Sequence, residues 1–175
     1  IGSAGQIEIF SWFKIVFIEN EGMAFGMILP GEYGKIFLTL FRIIIVLYGL
    51  YYLNNFIKKK DSLPVGLFIS FGLILGGAIG NIFDSIFYGV IFSESSYFET
   101  ATLFPMEGGY APLFYGSVVD MLHFPLFTLD LPSWLSFLEG PDNRFLFFAP
   151  VFNIADSGIF IGLSSLILFY RSYLK

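Results

Sequence analysis

Two short boxes concentrate the reactive side chains of this sequence: Asn81–Asp84, NIFD, and Asn153–Asp156, NIAD. Each sits inside or against a long apolar run. A third acid, Asp120, lies in the apolar stretch GSVVDMLHF. Placing a carboxylate or an amide in such surroundings is costly unless it is paired or put to use. Two carboxylates brought close together cannot both ionise, so they share a proton. The ionised one can take a proton from water while the protonated one polarises a scissile carbonyl. Such a pair titrates as a unit. The chemistry on offer is hydrolysis without a covalent intermediate. Other uses of the same residues are helix capping or pairing with Arg42, a proton or cation site in a transporter or channel subunit, and polar edges that join helices in a structural subunit. The acids and amides gather at one level and leave no polar path across the apolar runs, which speaks against transport.

Composition removes most other chemistries. There is no cysteine, so disulfides, thiolate metal sites and a cysteine nucleophile are excluded. One histidine, His123, and no HExxH leave no basis for a histidine metal site. His123 follows Asp120 by three residues and reads as an interfacial histidine rather than a triad member. A net charge of -5 with no basic stripe gives no footprint for nucleic acid. A serine–lysine pair has no evident members: Lys58–Lys60 falls on the wrong side of the membrane, and Lys14 and Lys35 have no obvious serine partner.

The elements that must position these residues are membrane helices. The chain is 56% hydrophobic and 13% charged, against about 25% charged in a soluble domain. Three stretches reach the roughly 20 residues that a bilayer core requires: 35–54, 64–83 and about 150–170, the last with its helix expected to begin near Pro150. Lys58–Lys60 between the first two spans, with Arg171 and Lys175 after the third, set the cytoplasmic side by the positive-inside rule. Residues 1–34 and 88–144 then lie outside. The first residue is Ile1, and a chain that starts in the cytoplasm needs one more helix ahead of it. The expectation is a small transmembrane helix bundle, a single membrane domain over residues 1–175, with three spans here and four in the full protein.

In this topology NIFD lies at the outer end of span two and NIAD at the outer start of span three, so both boxes share one membrane depth. Positions i and i+3 share a helix face, so each box makes a polar edge, and the two edges face one site. Asp156 falls near a helix N-terminus, whose dipole favours a negative charge. The expectation is therefore that Asp156 is ionised and Asp120 carries the proton. Gln6–Asn20 is rich in β-branched and aromatic residues and predicts one or two strands on the outer face. MILPGEYG (27–34) reads as a turn, and residues 124–143 as a short interfacial helix between turns. Gly76, Gly77, Ala78 and Gly80 allow close helix approach.

Four boxes in order, ENEGMAFG (Glu19–Gly26), GNIFD (Gly80–Asp84), VVD (Val118–Asp120) and FNIAD (Phe152–Asp156), resemble those of bacterial lipoprotein signal peptidase, signal peptidase II. The resemblance covers nearly the whole chain outside about 92–115. It implies a four-helix inner-membrane aspartic endopeptidase with its active site toward the periplasmic or outer face. Such an enzyme uses no metal or other cofactor, acts as a monomer, and removes the signal peptide from diacylglyceryl-modified prolipoproteins. By this resemblance Asp120 and Asp156 are catalytic, and Asn20, Arg42, Asn81, Asp84 and Asn153 support them or bind substrate. The expected partners are the lipid-modified prolipoprotein and membrane lipid. The chain departs from the family pattern in three ways. Ser85 stands where arginine is usual after the GNxxD aspartate, an extra outer loop separates GNxxD from VVD, and the first family helix is not in this chain.

Overall fold

The computed structural model describes residues 6–21, 31, 33–58, 62–96, 99–138, 140 and 144–174. The GMAFG part of the first box and Lys59 and Lys60 lie outside the described residues. In chain order the elements are β1 (Gln6–Phe10), β2 (Phe13–Asn20), α1 (Gly34–Lys58), α2 (Val65–Ile91), β3 (Val118–His123), β4 (Phe127–Leu129), β5 (Phe145–Phe147), β6 (Val151–Phe152) and α3 (Ile154–Ser165). A 3₁₀ helix, Ser133–Leu138, lies between β4 and β5, where a short interfacial helix is expected from the sequence. The helix α3 continues as a π turn over Leu166–Tyr170 and a 3₁₀ turn over Arg171–Leu174. Contacts divide the chain into two compact units, Ile1–Glu19 with Val119–Asn153, and Asn20–Val118 with Ile154–Lys175.

The second unit is helical, and three of its segments are long and apolar enough to cross a membrane: Gly34–Lys58, Val65–Ile91 and Ile154–Leu174. Their large apolar side chains point outward, among them Phe37, Ile44, Leu47, Phe160 and Leu168. Thr39, Ser70, Asn81 and Ser85 are buried instead. Lipid tails are as apolar as leucine, so small residues and hydrogen bonds must join the helices. Gly77 of α2 leaves room for the Ala155 carbonyl and Ile159 of α3, and Gly162 of α3 leaves room for the Ser70 carbonyl and Ile74 of α2. A side chain at either glycine would collide with the facing helix, whereas Gly76 faces open space. The hydroxyls of Ser70 and Ser165 lie 2.8 Å apart and tie the same helix pair further along. Beyond them Phe56, Leu67 and Leu166 form an apolar cluster.

Two boundaries differ from the sequence expectation. The helix α2 runs to Ile91, eight residues past Phe83, so NIFD lies two turns inside the helix rather than at its end. The last turns stay helical because the following loop folds back on them. The amide N–H groups of Gly116, Phe114, Ala111 and Phe104 donate to the carbonyls of Ser85, Ile86, Gly89 and Ile91. The bonds to Gly89 and Ile91 satisfy acceptors that the helix terminus leaves open. The third span does not begin at Pro150. Residues 145–147 and 151–152 are strands, and regular helix starts at Ile154.

The first unit is a sheet in the order β1-β2-β3-β6, with β4 and β5 forming a separate antiparallel pair. The strands β1 and β2 fill the expected Gln6–Asn20 stretch and pair antiparallel, Ile7 opposite Ile15. Aromatic side chains stack across the sheet: Phe13 on Phe124 at 4.8 Å between ring centres, and Phe124 on Phe152 at 5.7 Å. Trp12, half exposed, extends that stack through Phe10 and Phe124. The turn before α1 is closed by the Gly34 amide donating to the Gly31 carbonyl.

Candidate active site

Within the helical unit, Asn81 sits on the face of α2 that meets α3, and Asp156 occupies the first turn of α3. The Asn81 Nδ2 amide donates to Asp156 Oδ1 at 2.8 Å. The antiparallel packing of α2 on α3 brings them together, with Gly77 and Gly80 against Ala155 holding the backbones close enough for the side chains to meet. Asn81 is 8% exposed, and its amide gives the carboxylate a donor that an apolar residue in its place would not. Arg42 of α1 lies within electrostatic reach of Asp156. Its Nη1 is the buried side-chain atom that lacks a hydrogen-bond partner among the described residues.

Asp84 has a further partner on its own helix. It accepts a hydrogen bond from the Tyr88 hydroxyl, one turn further along α2. Sequence reasoning missed Tyr88, although its i+4 spacing from Asp84 was visible. Ser85 is 3% exposed, and its hydroxyl donates back to the Asn81 carbonyl at 2.9 Å. Gly116 of the returning loop passes close over the Asp84 carbonyl and the backbone of Tyr88 and Gly89, and its N–H donates to the Ser85 carbonyl. Asn20 ends β2 and is half-buried.

Within the sheet unit the same device recurs. Asp120, on β3, is 4% exposed, and Asn153, just after β6, is 5% exposed. The Asn153 Nδ2 amide donates to Asp120 Oδ1 at 2.9 Å. Antiparallel pairing of β3 with β6, Leu122 opposite Phe152, holds these neighbours in place. The asparagine of each box thus serves an aspartate outside its own box's first turn of sequence: Asn81 serves Asp156, and Asn153 serves Asp120. His123 pairs with Val151 at the end of β3. Partial burial, and then the positive charge of Lys14, hold its imidazole below the usual range. Lys14 itself is paired with Glu8 at 3.1 Å.

One sequence expectation about lysine is overturned. Lys35 does have a serine neighbour: its Nζ donates to Ser117 Oγ at 3.2 Å. The two residues are 82 positions apart, so no local pattern could reveal the contact. Among the described residues no group of three or more His, Cys, Asp or Glu side chains could hold a metal ion.

The match to known proteins runs nearly end to end. A family model described as signal peptidase (SPase) II matches residues 2–172. The chain belongs to the signal peptidase II family. A lipoprotein signal peptidase of Porphyromonas gingivalis is 49% identical over 159 residues, covering 91% of this chain and 67% of that protein. A lipoprotein signal peptidase of Amoebophilus asiaticus is 36% identical over 176 residues, covering all of this chain and 69% of that protein. The fold resembles a solved bacterial membrane enzyme with a TM-score of 0.57 at 22% identity, covering 98% of this chain and 74% of that one. A second bacterial membrane enzyme structure matches with a TM-score of 0.54. The chain is therefore a multi-pass membrane peptidase of the signal peptidase II family, and the transporter reading gives way to it.

Proposed function

We propose that this signal peptidase II is an aspartic endopeptidase in which Asp120 and Asp156 form the catalytic pair. The observation that carries this reading is the matched pair of amide–carboxylate bonds, Asn81 to Asp156 and Asn153 to Asp120. Each fixes one carboxylate oxygen and leaves the other oriented.

In the proposed reaction Asp156 is ionised, at the positive end of the α3 dipole, and Asp120, the more buried of the two, carries the proton. Water gives a proton to Asp156 and attacks the scissile carbonyl carbon, while Asp120 gives its proton to the carbonyl oxygen. The tetrahedral intermediate collapses with cleavage of the C–N bond. The departing amine takes the proton held by Asp156, and Asp120 regains the hydroxyl proton as the new carboxyl group forms. One water is consumed and the pair returns to its starting state. Arg42, whose Nη1 lacks a hydrogen-bond partner among the described residues, is suited to hold a substrate carbonyl beside Asp156. Asn20 and Asp84 complete the substrate-facing polar groups.

The proposed substrate is a prolipoprotein bearing a diacylglyceryl-modified cysteine, cut just before that cysteine, with the enzyme in the bacterial inner membrane and its site toward the outer face. The outward-facing apolar side chains of the spans suit a substrate that stays in lipid. The full-length protein in lipid or detergent, given a modified and an unmodified prolipoprotein, tests the reading by product mass. The expected products break before the modified cysteine and come from the modified substrate alone. Cleavage elsewhere, or equal cleavage of both, would contradict it.

A further inference from the structure

Lys35 stands at the start of α1 and makes two contacts at once. Its ammonium lies 2.9 Å from the Glu21 carboxylate and 3.2 Å from Ser117 Oγ. Glu21 directly follows Asn20 and the end of β2, and Ser117 directly precedes β3, three residues before Asp120. Ser117 is 6% exposed, and its backbone N–H donates to the Tyr110 hydroxyl at 2.7 Å. Tyr110 belongs to the returning loop and acts electrostatically on Tyr88, the residue that holds Asp84.

We infer that Lys35 is a positioning residue of this peptidase: within the helical unit it clamps the segment that leaves β2 to the segment that enters β3, three residues before Asp120. The inference rests on the proposed role of Asp120. A serine–lysine catalytic pair is the competing use of the same atoms. Such a pair needs a neutral lysine to take the serine proton. Here Glu21 is paired with the ammonium, so the lysine donates to Ser117 rather than accepting from it. The Ser117 N–H is also committed to Tyr110 and is not free to bind an oxyanion. The clamp has a steric counterpart in the same segment, because Gly116 must pass close over α2 for Ser117 to reach Lys35. Misplacing a reacting group by about 1 Å can cost on the order of 100-fold in rate. A clamp three residues away is expected to carry a fraction of that.

The test uses the full-length enzyme cleaving a diacylglyceryl-modified prolipoprotein, with kcat and KM measured separately and thermal unfolding followed in the same detergent. Lys35→Met is expected to lower kcat about 10-fold with KM within about 2-fold, and Lys35→Arg to recover most of the loss. Ser117→Ala, which deletes one hydroxyl, is expected to give a partial loss in kcat. Combined with Lys35→Met it should add little, because both remove one contact. Unchanged kcat in Lys35→Met, or additive losses in the double variant, would overturn the inference. Complete loss in Ser117→Ala would overturn it in favour of a serine nucleophile. If the unaltered enzyme fails to cleave, the proposed function fails; if it cleaves and the variants match it, the clamp alone fails.

Discussion

In the helical unit many large apolar side chains face outward, and Thr39, Ser70, Asn81 and Ser85 are buried alongside apolar residues such as Leu67 and Leu166. In the sheet unit the aromatic rings of Phe13, Phe124 and Phe152 stack on one another, and the most secluded charged group is Asp120. The first arrangement suits lipid, where burying apolar surface yields little and polar contacts join helices. The second is held by ring stacking, worth about 0.5–1.5 kcal/mol per pair beyond area burial. Yet both units hold an aspartate with an asparagine amide at nearly the same distance, 2.8 Å in one and 2.9 Å in the other. Two different packing regimes hold one device.

The sharpest way to break this comparison is to neutralise one carboxylate at a time. Asp120→Asn and Asp156→Asn are each expected to reduce cleavage about 10²–10⁴-fold, with the double variant no slower than the slower single one. Activity assays on normally inserted protein check this, and a loss confined to one variant would separate the two units. Next come the amides. Asn153→Ala and Asn81→Ala each remove an amide donor from a carboxylate, a cost of about 1–3 kcal/mol. The expected loss in kcat is about 10- to 100-fold, larger for Asn153 because Asp120 is the more buried. Measured kcat for the two variants in parallel sharpens the comparison directly.

The packing regimes themselves predict smaller effects. Gly162→Leu forces a side chain against the Ser70 carbonyl and Ile74, which is expected to cost about 1–3 kcal/mol of stability. Gly76→Leu, facing open space, is expected to leave thermal unfolding in detergent unchanged. The smallest effect concerns His123 in the sheet unit. Burial and Lys14 depress its protonation in the fold, so the unfolded chain binds the proton more readily. Stability is therefore retained above about pH 6.5 and falls as pH drops toward the folded value. His123→Gln should flatten that decline slightly in thermal unfolding measured between neutral and mildly acidic pH.

Much of this was legible in the residues. Three apolar runs gave three spans, and the β-branched Gln6–Asn20 stretch gave two strands. The NxxD boxes announced buried polar groups, and their order carried the family resemblance. What escaped depended on contacts distant in sequence. Apolar periodicity could not show that α2 continues to Ile91, because its last turns are held by amides from residues 104–116. Spacing within a box gave Asn81 and Asp84 a common helix edge, but it could not name the Asp156 carboxylate as the acceptor of the Asn81 amide. The Lys35–Ser117 contact joins a helix start to a strand start and has no local signature.

The central claim is a proton shared between Asp120 and Asp156, and the pH dependence of kcat/KM tests it most directly. With the full-length enzyme and a diacylglyceryl-modified prolipoprotein, the account predicts a bell: an acid limb where the base becomes protonated and an alkaline limb where the acid loses its proton. A profile that stays level across that range, or that shows an acid limb and no alkaline one, would contradict a shared-proton pair.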